Sequence, residues 1–333
     1  MSANEAPATV VTAVSPAAPQ EIERSSDGQA RTAFVLTGGG ARGALQIGAL
    51  RALFERGIQP DLIVGTSIGA WNGAALGLDP TLAGVRRMEA IWRSVTAHQV
   101  MLGRESPRRA RPPTADQALI LTAARRVAHG LTSLYDDSGL SLLAARYLQE
   151  LTFADLRVPL FVVAASLTAG TRRVFSSGLL APAVVASSAV PGIFPAVAID
   201  DEVYVDGATI DNVNADVALD AGAHRLFILD IGYVEHPPDV YSGALSTPHM
   251  RPVGGPFSSQ PHPLAVVIER ALQVGSNYRA QRELERIPLG IETHVLRLTT
   301  SGLTTTLAFG KASEWVEAGY RAACEQLPAL VTP

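Results

Sequence analysis

The sequence predicts an α/β fold: a mostly parallel central sheet with helices on both faces, in a single domain. Three observations predict it. Short apolar, β-branched runs alternate with longer stretches whose apolar residues recur at helical spacing. Two of the strand runs end in glycine-rich turns that lead directly into helical patterns. Apolar residues fill 47% of the 333 positions, enough for a large buried core.

Ala33–Thr37 reads as a buried strand running into Gly38-Gly39-Gly40-Ala41-Arg42-Gly43. Leu45, Ala49, Leu50, Leu53 and Phe54 then mark a helix over Ala44–Glu55. Leu62–Val64 is a second strand; Gly65-Thr66-Ser67-Ile68-Gly69 follows and opens a helix over Ile68–Gly77. Helices are expected at Pro80–Arg93, Ala115–Ala128, Ser138–Leu151, Ala181–Ala189, Val213–Asp220, Leu264–Arg286 and Lys311–Gln326. Further strands are expected at Leu160–Ser166, Thr171–Ser176, Glu202–Val205, Arg225–Ile231 and Thr293–Arg297.

The stretch Gly65–Gly69 has the form of a nucleophile elbow. So tight a turn needs small neighbours two residues away on each side, and it leaves the serine hydroxyl exposed. The following helix points its positive end at that hydroxyl. An ordinary strand-to-helix turn with a serine in it is the plain alternative. The glycine cluster upstream leaves several backbone N–H groups bare at a helix start, where they bind an anion: a phosphate, or the oxyanion of a tetrahedral acyl intermediate. The cluster also satisfies G-x-G-x-x-G, the dinucleotide fingerprint. That fingerprint wants an acidic residue at the end of the next strand. Asp61 precedes that strand, and the elbow occupies its end.

A serine nucleophile needs a base. None of His98, His129, His224, His236, His249, His262 and His294 lies in a glycine-marked turn after a strong strand. Asp206 is the better candidate, ending Val203-Tyr204-Val205 and followed by Gly207-Ala208. A carboxylate bonded to the serine oxygen takes its proton directly if partial burial raises its basicity. A plain Asp-Gly turn is the alternative.

These three elements, taken in order, resemble the patatin-like phospholipases. Ala186-Ser187-Ser188-Ala189-Val190-Pro191-Gly192-Ile193-Phe194-Pro195 is similar to that family's segment ahead of its aspartate, and the likeness runs from about Ala33 to Asp220. The resemblance implies a lipid acyl hydrolase of the phospholipase or lysophospholipase type, working through a Ser–Asp dyad and an acyl-serine. Ser67 would be the nucleophile and Asp206 the base, with Gly65 and Gly69 forming the elbow and Gly207 and Ala208 the dyad turn. Gly38, Gly39, Gly40, Ala41, Arg42 and Gly43 would form the oxyanion hole, chiefly through the amides of Gly39, Gly40 and Ala41. Where the family shows Asn-x-Pro, this chain has Asn212-Val213-Asn214, so a proline is replaced. An acyltransferase on the same scaffold and a non-catalytic lipid-binding protein are the other readings. Ile68 stands where malonyl-type acyltransferases place a histidine, which counts against that branch.

Residues 1–30 are Ala-, Pro-, Ser- and Glu-rich without an aromatic and are expected to be disordered. Residues 31–220 are the expected patatin-like catalytic core, and 221–333 its extension, with a flexible loop over 235–263. The Arg-rich segment 104–126 reads either as a lid meeting lipid phosphates or as a solvated charged loop; Lys311 is the only lysine. A net charge of −4 argues against a nucleic-acid partner. A single cysteine, Cys324, excludes an intrachain disulfide and fits a reducing compartment. No run of 18 apolar residues suggests a membrane span and no basic n-region suggests a cleaved signal; secretion without one stays open. The expectation is a cytoplasmic enzyme in peripheral contact with membranes, with phospholipid or lysophospholipid as substrate. No cofactor and no metal is expected. Ile68, Trp71, Ile193, Phe194 and Val197 are candidates for an apolar pocket near Ser67, with ordinary core packing as the alternative.

Overall fold

A computed structural model of the chain describes residues 31–102, 133, 135–136, 138–232, 263–299 and 308–327. The segment 1–30, the expected helix Ala115–Ala128, the arginines of 104–126 and the loop residues 235–262 lie outside the described residues. The elements are β1 (Thr32–Leu36), α1 (Gly43–Glu55), β2 (Leu62–Thr66), α2 (Ile68–Leu78), α3 (Leu82–Ser94) and α4 (Ala97–Leu102). They continue with α5 (Ser138–Tyr147), β3 (Leu160–Ser166), β4 (Thr171–Phe175), α6 (Leu180–Ser187), β5 (Val197–Ile199) and β6 (Glu202–Asp206). The last are α7 (Ala215–Asp220), β7 (Arg225–Asp230), α8 (Pro263–Leu284), β8 (Glu292–Arg297) and α9 (Ala312–Gln326).

One sheet runs β5-β6-β3-β2-β1-β7-β8, with β4 attached to β3. The stretch from β3 to β8 is parallel throughout, and β4, β5 and β6 pair antiparallel. The apolar runs are unbroken because both faces are buried. Phe34, Leu36, Ile63, Phe227 and Leu229 feed a large core on one face, with α1, α2, α3 and α9. Ala33, Val35, Leu62, Val64, Leu226 and Ile228, the alternate residues of the same strands, feed a second core under α7 and α8. This period of two places each strand between two helical layers.

β3 holds the decisive junction. Val163 pairs with both Thr66 of β2 and Val174 of β4, and Ala164 pairs with both Asp206 of β6 and Arg173 of β4. A residue has two edges, so β4 takes one edge of β3, and β2 and β6 share the other. The parallel β2 and the antiparallel β6 therefore meet end to end. Thr66 and Asp206 stand level with consecutive residues of β3, about 3.3 Å apart along it.

Several boundaries differ from expectation for local reasons. α3 begins at Leu82 because the Thr81 hydroxyl caps it, accepting the Gly84 amide at 3.0 Å. The helix expected over Ser138–Leu151 ends at Tyr147, and Gln149 turns left-handed at φ 28°. α7 starts at Ala215 because Asn214 is left-handed at φ 52°. The short elements α4 and β5 were not expected. Among the described residues, no helix is long and apolar enough to cross a membrane.

Candidate active site

β2 delivers Thr66 to the carboxyl edge of the sheet, and the chain reverses at Ser67 into α2. Ser67 holds φ 55° and ψ −123°, a strained backbone for a residue with a side chain. The flanking glycines allow the bend by leaving room for backbone. A Cβ on Gly65 would lie 2.6 Å from the Gly69 carbonyl oxygen, and one on Gly69 would lie 2.0 Å from that of Leu36. Ser67 is 7% exposed. Its amide donates to the Ser187 hydroxyl at 2.9 Å, and that hydroxyl donates to the Val163 carbonyl at 2.6 Å. The elbow is thus pinned to β3 through the end of α6.

Asp206 closes β6 and is 4% exposed. Its carboxylate accepts the Ala208 amide at 2.9 Å and is within reach of the Ser67 side chain, which lowers its pKa. Its own amide donates to the Ala189 carbonyl at 3.0 Å. Burial pushes the Asp206 carboxyl up to about 6, against the Ser67 side chain and the Ala208 amide, which pull it down. Gly207 is pressed onto the sheet: a Cβ there would lie 2.3 Å from the Val163 carbonyl oxygen and 3.2 Å from Thr66 Cγ2.

The glycine loop lies beside this pair. A Cβ on Gly38 would lie 2.9 Å from Ser67 Cβ. Asn212 grips Gly38 twice, its Oδ1 accepting the Gly38 amide at 2.7 Å and its Nδ2 donating to the Gly38 carbonyl at 3.2 Å. The Arg42 amide donates to the Gly39 carbonyl, and the Gly43 amide to those of Gly40 and Ala41. Of the six amides expected in the oxyanion hole, those of Gly38, Arg42 and Gly43 are thus engaged. Those of Gly39, Gly40 and Ala41 take no acceptor among the described residues. Arg42 steadies the loop through Nε, which donates to the Gly39 carbonyl at 3.3 Å.

Behind the loop, Gln46 Nε2 donates to the Thr37 carbonyl at 2.8 Å, and Asn72 Nδ2 to the Gly43 carbonyl at 3.1 Å. Both ends of the loop are therefore fastened to buried amides. Asn214, at the position of the family's proline, donates through Nδ2 to Thr66 Oγ1 and to the Asp211 carbonyl, each at 3.0 Å. Glu283 reaches in from α8 and accepts the Ala215 amide at 2.8 Å. Burial first, and then the neighbouring Asp211, push its carboxyl up to about 9.

Ser67, Asp206 and the loop Gly38–Gly43 therefore converge. Of the histidines, the side chains of His224 and His294 are described. His224 is exposed ahead of β7, and His294 in β8 pairs with Glu292 at 2.7 Å and stacks on Phe227. Ile68 and Trp71 line a cavity, while Phe194 is buried in the core with Ile193 and Val197 packed against it. Sequence reasoning missed Ser187, Gln46, Asn72 and Glu283 as supports. Among the described residues no group of three or more His, Cys, Asp or Glu is arranged to hold a metal ion.

The fold and this convergence define an α/β protein with a serine on a strand–elbow–helix turn and a buried carboxylate close by. The patatin-like phospholipase family matches residues 34–219, and the chain belongs to that family. It is similar to patatin-like phospholipase domain-containing protein 7 of Rattus norvegicus, 31% identical over 60% of this chain and 13% of the relative. It is 32% identical to patatin-like phospholipase domain-containing protein 6 of Homo sapiens, again over 60% of this chain and 13% of the relative. Lysophospholipase nte1 of Aspergillus terreus is 27% identical over 89% of this chain and 18% of its own length. The chain thus spans 13% to 18% of these relatives. Among solved structures, VipD from Legionella pneumophila is similar at 15% identity and a TM-score of 0.43, covering 90% of this chain and 67% of its own.

Proposed function

We propose that the chain is a serine esterase acting on lipids, cleaving fatty acyl esters of phospholipids or lysophospholipids at Ser67 with Asp206 as base. The observation that carries this reading is the convergence of a serine on a strained elbow with a buried carboxylate whose acidity that serine side chain strengthens. With its pKa near 6, Asp206 is ionised at neutral pH yet more basic than a solvated carboxylate. It takes the Ser67 proton as Oγ attacks the ester carbonyl. The amides of Gly39, Gly40 and Ala41 receive the resulting oxyanion. The alcohol leaves with the proton from Asp206, and an acyl-serine remains. Water then attacks the acyl carbon and gives its proton to Asp206. Fatty acid is released as that proton returns to Ser67.

The lipid substrate is supported by family membership and by an apolar cavity lined by Ile68, the residue after Ser67, and Trp71. Residues 31–220 form the catalytic core in this reading. The part 221–333 extends it, because β7 and β8 continue the same sheet and α8 braces the turn after Asp206. A fluorophosphonate probe tests the proposal. It should label the wild-type chain and leave Ser67→Ala unlabelled; labelling of both equally would refute it. Mass spectrometry of products from a mixed phospholipid and lysophospholipid panel, with and without an added alcohol, separates hydrolysis from acyl transfer.

A further inference from the structure

We propose that Glu283 of α8 is a positioning residue for the glycine loop, acting through the turn that follows Asp206. This rests on the hydrolase reading above. The turn, residues 210–214, grips the site at two points. Asn212 holds both backbone groups of Gly38, and Asn214 Nδ2 donates to Thr66 Oγ1, next to Ser67. The shape of the turn depends on Asp211. Its Oδ1 accepts the Asn212 amide at 2.9 Å, and its carbonyl accepts Asn214 Nδ2 at 3.0 Å. Asp211 therefore sets where Asn212 stands.

Glu283 meets this turn from the helical layer. Ala280 and Leu284 pack α8 on the second core, and Glu283, three residues after Ala280, shares that face. It is buried, and its Oε1 accepts the Ala215 amide, which fastens the end of the turn to the start of α7. Its Oε2 is buried as well and meets no donor among the described residues. An ionised carboxylate would leave that oxygen unsatisfied, which is costly. A proton resolves it: the oxygen becomes a donor, and the acceptor beside it is the Asp211 carboxylate. Burial first, and then Asp211, keep Glu283 protonated up to about pH 9.

The other charged groups facing Glu283 do not replace that proton. Asp216 on α7 opposes a further negative charge. Arg172 on β4 is paired with Asp216 and donates to Asn214. Arg279, one turn back on α8, reaches the Ala208 carbonyl. Loss of the proton therefore sets a second negative charge beside Asp211 in a dry site. The turn relieves this by moving, and Asn212 moves with it. Gly38 then loses its anchor, and the amides beyond it lose their aim at the oxyanion. Such a defect lowers kcat rather than raising KM.

The test is the pH dependence of kcat on p-nitrophenyl butyrate between about pH 7 and pH 10, with tryptophan fluorescence checking the fold at each pH. Wild-type kcat should hold to about pH 8 and fall about fivefold by pH 10. Glu283→Ala should lower kcat at about pH 8 by about tenfold with KM little changed. Glu283→Gln carries the acceptor and the donor of the neutral acid but cannot ionise. It should recover most of the loss seen in Glu283→Ala and show no alkaline fall. If Glu283→Ala does not fold, the Glu283→Gln profile carries the test. A Glu283→Gln profile that falls alongside wild type, or a folded Glu283→Ala chain with undiminished kcat, would overturn the positioning role and leave the hydrolase reading standing. A wild-type chain that hydrolyses no ester and takes no fluorophosphonate would overturn the hydrolase reading and this inference with it.

Discussion

Replacing Asp206 with asparagine should abolish turnover and also remove a pH-dependent weakness from the fold. Burial raises the carboxyl from 3.8 to about 6. Between those values the folded chain keeps a proton that the unfolded chain has released. The native state is therefore favoured below the unfolded value, and that advantage is lost as pH rises through about 6. At about 1.4 kcal/mol per pKa unit, the full loss is about 3 kcal/mol. Asparagine cannot ionise, so it escapes this loss. Its NH₂ group costs about 1–3 kcal/mol if it finds no acceptor, but that cost is the same at every pH. The slope is therefore the decisive quantity. Between about pH 5 and pH 8, the unfolding free energy of Asp206→Asn should gain about 1 kcal/mol on wild type. Urea unfolding followed by tryptophan fluorescence at several pH values measures it. A gap that stays flat with pH, or one that widens toward acid, would refute the reasoning that Asp206 is an ionisable group held in a dry site. In the same preparation kcat/KM should fall by about two to four orders of magnitude.

On the hydrolase reading Asp206 must be unprotonated to act, so wild-type kcat/KM should rise with pH through an apparent pKa of about 6 and level off above it; a profile still climbing above about pH 8 would exclude a carboxylate base. Asn212→Ala removes both hydrogen bonds to Gly38 and should lower kcat about tenfold to a hundredfold with little change in KM on a short ester. An equal fall in affinity with kcat intact would instead make Asn212 a substrate contact. Gly69→Ala forces a methyl group into the Leu36 carbonyl and should yield a chain that neither folds to wild-type stability nor takes a fluorophosphonate; a thermal melt matching wild type would refute the steric argument for this glycine.

Much of the frame was legible because it is local. Leu160–Ser166 was expected to the residue, and other strands to within one or two, since each is an apolar run closed by turn residues. The elbow and the glycine loop are contiguous motifs, and Asp206 announces itself through the glycine after it. β5 escaped notice because three residues carry no measurable period, and α4 because six residues fall below the length of a helical signal. The rest of the site depends on partners far apart in the chain. Ser187 holds the Ser67 amide across 120 positions, and Asn212 holds Gly38 across 174. Nothing local to Gln46, Asn72 or Glu283 distinguishes an amide or carboxyl that braces a loop from one that faces solvent. Asn214 shows a further limit: the missing proline reads as a departure from pattern, whereas in space its side-chain amide ties the turn to Thr66.

The end-to-end meeting of β2 and β6 has a bearing on synthesis. A ribosome makes the elbow well before it makes the carboxylate, and the ladder on β3 aligns the two. Any nascent or truncated chain that stops short of Asp206 owns a serine but no proton acceptor. On the hydrolase reading, such fragments are harmless to the lipids around them, and reactivity switches on as a property of the assembled sheet.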